Sequence, residues 1–253
     1  MLAGTLNHPN ISRTFMCYCD GDNSTGKLYA VMDLGTLGGV VKCDEATMTF
    51  SLSPAVEKCV TTHVDKASYA PFCKSLKEKI AQFIFADVAA GLAYLHHPAI
   101  RIVNRDIKPE NIVFATLEGG TSEKWRDRAL IVDFTTAEKI PEGKEETFKV
   151  CRDGGTPAFE APECLTGDHR PMPLDVWALG VSIVCVVYGK LPFPADASVA
   201  ELENAISTLE PAYPEGIEVS GELKAVLADL LEKDPSKRIT IQEAIDKHDW
   251  LKV

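Results

Sequence analysis

Residues Val103-Asn104-Arg105-Asp106-Ile107-Lys108-Pro109-Glu110-Asn111-Ile112-Val113 hold a carboxylate, an amine and a carboxamide at fixed spacing. Asp106 and Asn111 stand five positions apart, with Lys108 between them. Three such groups on one short loop suit transfer of a phosphoryl group to a hydroxyl. The Asp106 carboxylate would orient the attacking hydroxyl and take its proton. The Lys108 ammonium would neutralise charge growing on the phosphoryl oxygens, and the Asn111 amide oxygen would bind a magnesium ion. Short Asp and Asn arms fit a rigid site better than Glu and Gln. By itself the stretch reads equally well as a solvated Lys-Pro-Glu-Asn turn between strands.

The loop needs elements that hold it. Ile100, Ile102 and Val103 precede it and Ile112, Val113 and Phe114 follow it, which predicts two short buried strands gripping the loop. Downstream, Leu130-Ile131-Val132-Asp133-Phe134-Thr135 is an apolar strand ending in Asp-Phe. Further on lies Gly154-Gly155-Thr156-Pro157-Ala158-Phe159-Glu160-Ala161-Pro162-Glu163. In this order the three blocks resemble the protein-kinase signature: catalytic loop, magnesium Asp, then Ala-Pro-Glu. The chain resembles a eukaryotic-type protein kinase, and Lys108 with Gly155-Thr156-Pro157 resembles the serine/threonine branch.

That resemblance implies an α+β fold, mainly α: a large helical lobe with a truncated β small lobe. It implies ATP and Mg2+ as cofactors and a protein substrate with a Ser or Thr acceptor. Asp106 and Lys108 become the catalytic pair, and Asn111 and Asp133 the metal ligands. Met32 becomes the gatekeeper of a hinge at Leu34 to Gly39, with the backbone of Asp33 and Gly35 facing the adenine. Glu110 and Val113 complete the expected nucleotide site. Asp175 is expected to hydrogen-bond the catalytic-loop backbone, and Arg238 to pair with Glu163 in a buried structural ion pair.

Composition sets the frame. A chain of 253 residues suffices for one large domain or two lobes. With 45% hydrophobic and 25% charged residues it is globular rather than disordered. A net charge of −11 argues against nucleic acid or an acidic membrane as partner. Met1-Leu2-Ala3-Gly4 begins no charged leader with a long apolar core, so a cytoplasmic location is expected. The longest apolar run, Val176 to Tyr188, is broken by Gly180 and Ser182; it falls short of a bilayer span and predicts a buried helix. None of the eight cysteines forms a Cys-x-x-Cys pair, so they read as reduced thiols rather than zinc ligands.

Three regions are expected: 1–40, a remnant of the small lobe with the hinge; 41–75, an insertion; and 76–253, the large lobe. Strands are predicted at Thr14 to Cys19 and Lys27 to Met32. The glycines of 35–39 lack phosphate-loop spacing. Residues 41–73 show poor periodicity, with His63 among three cysteines at irregular spacing. Leu76 to His97 has helical period, and His96 and His97 at its end read as caps on the helix dipole. Ala115 to Arg128 reads as a polar hairpin loop. Thr135 to Arg152 would be the activation segment, with Thr135, Thr136 and Thr147 as hydroxyls. Cys151, Arg152 and Asp153 occupy the place where many kinases carry an activating phosphate; Cys151 reads as an ordinary thiol.

The hinge, the Gly155 to Phe159 block and Asp175 to Phe193 look most like calcium/calmodulin-dependent protein kinase kinases. A calmodulin-binding segment would follow the large lobe, and none is present before Val253. Asn104 stands where the family has His, and Thr135 replaces the Gly after Asp133-Phe134. The Gly-rich phosphate loop, the phosphate-clamping strand Lys and its helix Glu are absent from this chain. Two classes of function stay open: a serine/threonine kinase catalytic domain, and a catalytically impaired kinase-like scaffold or fragment. Intact Asp106, Lys108, Asn111 and Asp133 favour the first, and the missing parts favour the second.

Overall fold

The computed structural model describes residues 2–20, 27–63, 73–115, 127–145, 147–149, 154–166, 170–194 and 198–252. After a 3-10 turn at Leu2–Thr5 come β1 (Thr14–Asp20) and β2 (Lys27–Met32), an antiparallel pair with an irregularity between Thr14 and Met16. The alternation of β-rich residues places β2, and β1 runs one residue past the strand expected at Thr14 to Cys19. The hinge leads into β3 (Gly38–Gly39).

The stretch of poor periodicity, 41–63, folds as a hairpin of β4 (Val41–Asp44) and β5 (Thr49–Leu52) followed by α1 (Pro54–His63). The turn is built by Asp44, whose Oδ1 accepts the N–H groups of Ala46 at 3.0 Å and Thr47 at 3.3 Å. Phe50, Val56 and Val60 are buried, so few apolar side chains fix the unit. Four-residue strands are too short for periodicity to declare them. Residues 64–72 lie outside the described residues.

Helix α2 (Leu76–His96) starts at Ser75, whose hydroxyl accepts the Glu78 N–H. Ile80, Ile84, Val88, Leu92 and Leu95 are wholly buried, as the period predicts, while Leu76 at its start is exposed. The strands β6 (Ile102–Val103) and β7 (Ile112–Ala115) flank the loop of interest. They are followed by β8 (Arg128–Ile131) and β9 (Glu138–Lys139). The order β3-β7-β8 makes a three-stranded sheet, and β6 pairs with β9. Residues 6–12 are stitched to this sheet: the Ser12 N–H donates to the Ile131 carbonyl, and the Ile131 N–H to the Asn10 carbonyl, both at 2.9 Å. The tip of the polar β7–β8 loop, 116–126, lies outside the described residues.

The remaining elements are α3 (Glu163–Thr166), α4 (Pro171–Tyr188), α5 (Val199–Thr208), α6 (Gly221–Leu230) and α7 (Ile241–Lys247). The core centres on α4, which packs against α2 and α6 and buries Trp177, Val181 and Val184 completely. Its 18 residues, of mean hydropathy 1.6, are apolar and long enough to cross a bilayer, but 89% of them are buried inside the protein, as the reading of Val176 to Tyr188 as a buried helix predicts. Capping-box hydrogen bonds link Thr240 and Glu243 at the start of α7. The expected pair is present: Arg238 donates through Nη1 and Nη2 to Glu163 at 2.5 and 2.9 Å, with side chains 0% and 2% exposed. Long helices and small sheets give the mainly helical α+β architecture.

Candidate active site

The loop between β6 and β7 is anchored from below by α4. Asp175 is fully buried; its Oδ2 accepts the Asn104 N–H and its Oδ1 the Arg105 N–H, each at 2.8 Å. The His96 Nε2 lies 2.9 Å from Oδ2. His96 therefore does not cap α2; it turns onto a carboxylate that needs partners in an apolar setting. His97 is the C-cap residue of α2: its N–H donates to the Tyr94 carbonyl at 3.3 Å, and its Nδ1 accepts the Ala99 N–H at 3.2 Å in the turn that follows.

On this anchor Asp106 gathers three partners. Its Oδ1 accepts the Thr156 hydroxyl at 2.7 Å. Its Oδ2 accepts the Asn111 Nδ2 at 2.8 Å and the Lys108 Nζ at 2.9 Å. Lys108 also donates to the Thr156 Oγ at 2.7 Å, so one hydroxyl gives its proton to Asp106 and receives one from Lys108. The Asn111 amide makes a second bond, to the Asp106 carbonyl at 2.9 Å. Both of its hydrogens thus point at Asp106, which turns its Oδ1 away as a remaining ligand atom. Gly155 lets the Thr156 segment approach: its φ is +99°, and a Cβ there would meet the Arg105 carbonyl at 3.1 Å.

Asp133 follows β8 with φ 59°. Its Oδ1 accepts the Thr135 N–H at 3.0 Å and the Thr135 hydroxyl at 2.6 Å. Among the described residues no hydrogen bond or ion pair reaches its Oδ2. Asn104, fully buried, links the two carboxylate residues: its Oδ1 accepts the Asp106 N–H at 3.1 Å and its Nδ2 donates to the Asp133 carbonyl at 3.3 Å. The Val132 N–H donates to the Asn111 carbonyl at 2.9 Å, a second link.

These donors fit a hard cation. An amide oxygen of Asn111 and a carboxylate oxygen of Asp133 suit Mg2+, which keeps waters and phosphate oxygens as its other ligands. Among the described residues no group of three or more His, Cys, Asp and Glu could hold a metal unaided. The cysteine thiols are weak candidates, since burial pushes Cys59, Cys73 and Cys164 up to about 12. Residues 150–153, with Cys151 and Arg152, lie outside the described residues.

On the nucleotide side, Gly35 lies on Val113 so closely that a Cβ would stand 2.7 Å from the Val113 Cβ and Cγ2. The Leu37 N–H donates to the Phe114 carbonyl at 3.0 Å, so the hinge rests on β7. Asp33 is tied to Arg13: its N–H donates to the Arg13 carbonyl at 3.0 Å, and its carboxylate accepts the Arg13 N–H at 2.8 Å and guanidinium at 3.2 Å. Among the described residues no hydrogen bond reaches the Asp33 carbonyl. Met32 ends β2 and is 44% exposed. Glu110 is exposed on the 3-10 turn Pro109–Asn111, where burial and its nearby carboxylate push the Cys43 thiol up from its ordinary pKa.

The structure therefore brings Asp106, Lys108 and Asn111 into one network, connects Asp133 to it through Asn104, and pairs Gly35 with Val113. Met32 and Asp33 belong to the β1–β2 side. Sequence reasoning did not name Thr156 as a site residue; the signal was its place in the Gly155-Thr156-Pro157 block. Asn104 was read only as a substitution for His.

The sequence pattern of the protein kinase domain matches residues 2–251. The human SNF-related serine/threonine-protein kinase is 29% identical over 247 residues, which is 97% of this chain and 26% of that protein. Serine/threonine-protein kinase GRIK1 of Arabidopsis thaliana is 32% identical over 178 residues, 70% of this chain and 40% of its own length. Serine/threonine-protein kinase TOS3 of Saccharomyces cerevisiae is 31% identical over 251 residues, 94% of this chain and 40% of its own. The chain spans between a quarter and two fifths of the length of these relatives. With the pattern matched over nearly all of its residues, the chain belongs to the protein kinase domain family, on its serine/threonine side.

Proposed function

We propose that this chain transfers the γ-phosphoryl group of Mg-ATP to a Ser or Thr hydroxyl of a protein substrate. One observation carries the proposal: Asp106 is held by Lys108, Thr156 and Asn111 at 2.7 to 2.9 Å, an arrangement with charge, proton acceptor and ligand oxygen on one loop. Asp106 accepts the proton of the incoming hydroxyl. Lys108 stands beside it as the cation facing the transferred group, and Thr156 keeps both in place. Asn111 and Asp133 hold the metal ion, whose chemistry when bound is to neutralise the phosphate oxygens. Gly35, Val113 and the Asp33 carbonyl take the adenine side, with Met32 as gatekeeper and Glu110 at the ribose edge.

Within the family we place the chain near the calcium/calmodulin-dependent protein kinase kinases, on the residues of the hinge, Gly155 to Phe159 and Asp175 to Phe193. The large lobe is proposed to start at residue 76 and the insertion to span 41–75. Reduced thiols favour a cytoplasmic location. A scaffold would have no need of so complete a network around Asp106.

The test is Asp106→Ala in the full chain, with phosphate transfer to a peptide mixture as readout. A general base contributes about 10²- to 10⁴-fold, so transfer should drop by that factor while the melting temperature holds. Equal turnover in both proteins would end the mechanism.

A further inference from the structure

We propose that the pocket between β5, α1 and the start of α2 docks a segment of the protein substrate in which a carboxylate stands beside an apolar side chain. The proposal rests on the phosphotransfer reading above and names the class of substrate that the same site selects.

The pocket holds about 390 Å³. Phe50 and Leu52 of β5 and Leu76 and Ile80 of α2 give it apolar walls, and Lys77 and Glu57 give it charge. Phe50 and Ile80 are buried, whereas Leu76 is 46% exposed. An apolar side chain left open to water beside a cavity is surface that a partner can cover.

Lys77 decides which partner fits. It is half-buried, and among the described residues it makes no hydrogen bond and no ion pair. Burial lowers its ammonium from the ordinary lysine range, while Glu57 favours the charge from beyond ion-pair reach. Lys77 also lies in the first turn of α2, where the helix dipole disfavours a cation. Shortage of anions is not the reason, since the chain has 37 acidic side chains to 26 basic ones. Burial and the dipole thus oppose this charge, and no group within bonding reach offsets them. A carboxylate arriving from outside meets an ammonium already partly stripped of water, which strengthens the contact relative to one on an open surface.

The hairpin joins this pocket to the catalytic loop. A Cβ on Gly189, at the end of α4, would lie 3.6 Å from the Lys77 Nζ and 3.1 Å from the Phe50 carbonyl. The Phe50 N–H donates to the Gly189 carbonyl at 2.9 Å, and Thr49 forms a bridge with Lys190. Its other strand, β4, packs against the Pro109–Asn111 turn. Two paired strands are ~10 Å across, about three residues of extended chain. A substrate carboxylate at Lys77 therefore stands roughly four or more positions from the acceptor hydroxyl.

The full chain is titrated with three fluorescent peptides that differ only in one cluster: Leu-Glu-Glu, Leu-Lys-Lys or Gly-Glu-Glu. Anisotropy without nucleotide reads binding independently of turnover. The Leu-Glu-Glu peptide should bind the wild type about tenfold more tightly than either of the others. Lys77→Met should abolish the preference for Leu-Glu-Glu over Leu-Lys-Lys, and Lys77→Glu should reverse it. Neither variant should melt lower, because no partner is stranded. Among phosphorylated members of a serine peptide array, Asp and Glu should be enriched at the distant positions for the wild type and not for Lys77→Met. On a short peptide lacking those positions, kcat/KM should stay within about twofold.

Failure of the wild type to prefer Leu-Glu-Glu over Leu-Lys-Lys overturns the proposal, as does a preference that survives Lys77→Glu. Equal binding of Gly-Glu-Glu overturns it by making the pocket a plain anion site. Loss of binding with a lower melting point in both variants overturns it by making Lys77 structural. Acidic preference in binding but not among the phosphorylated peptides would give the pocket an occupant other than the substrate, which also overturns it. If the preference and its reversal hold but no peptide is phosphorylated, the phosphotransfer reading fails and the docking pocket stands.

Discussion

Thr135 is the residue at which this site departs most from the pattern it resembles. The pattern has Gly there, and here a hydroxyl donates to the Asp133 Oδ1 at 2.6 Å, beside the backbone N–H at 3.0 Å. Two donors on one oxygen draw charge from the carboxylate expected to bind Mg2+ and fix its rotation. Thr135→Val keeps the shape and removes one donor. A hydrogen bond to a charged group is worth ~1.5–3 kcal/mol, so the magnesium concentration needed for half-maximal nucleotide binding should fall about tenfold. Titrating nucleotide at graded magnesium, read by thermal shift, checks this; an unchanged or higher requirement would show that the hydroxyl orients Asp133 rather than weakening it. A companion comparison sets Asp133→Asn against Asn111→Ala. The first removes a full charge from the metal and the second a dipole, so magnesium-dependent binding should suffer more in the first. Equal, magnesium-independent affinity in wild type and both variants would indicate a nucleotide held without the metal. At this scale the sequence singled out Asp106, Lys108 and Asn111 by kind and spacing, while Asp133 was named only through the resemblance of its strand to the kinase signature. Thr156 lies 50 residues from Asp106. Its role comes from a through-space contact, which a linear pattern does not display.

Among the elements, α3 and the chain after α6 are joined by a buried ion pair. Arg238 donates twice to Glu163, once to the Pro173 carbonyl at 2.9 Å and once to the Glu232 carbonyl at 2.7 Å. Its guanidinium also lies over the Trp177 ring, 5.1 Å from the centroid. Removing one partner of such a pair strands the other, at ~3–5 kcal/mol. In a domain of this size 1 kcal/mol moves the melting point by about 2–4 °C, so Arg238→Ala should melt roughly 6–20 °C lower. Calorimetry decides it; an unchanged melting point with a loss of transfer would give Arg238 a role in chemistry instead. This pair was legible because both residues sit in family blocks. The α2 helix was legible because its 21 residues repeat the helical period several times. The β4–β5 hairpin was not: it rests on one buried phenylalanine, an Asp44 turn and the bond from the Phe50 N–H to the Gly189 carbonyl at 2.9 Å. Short elements fixed by tertiary contacts leave too few repeats to count.

The molecule as a whole is uneven. Helices α2, α4 and α6 share one closed core, whereas β1 and β2 form a sheet of two strands, with no third strand among the described residues. Phe15 is 60% exposed, Met16 59% and Leu34 79%, and Val31 and Met32 are exposed as well. A lone two-stranded sheet is marginal in water, and its unpaired backbone groups invite pairing with another strand. Apolar side chains beside those edges add a driving force that is independent of the helical core. The prediction is concentration-dependent self-association of the 253-residue chain through this sheet. Sedimentation velocity over a wide concentration range should show a rising weight-average mass. Phe15→Lys with Val31→Lys, both on exposed positions of β1 and β2, should reduce it through like-charge repulsion and lost apolar area. Because the core lies elsewhere, the main melting transition should move little. A chain that stays monomeric at high concentration, or associates equally with the two lysines in place, would show that the sheet is covered in a way its exposure does not reveal.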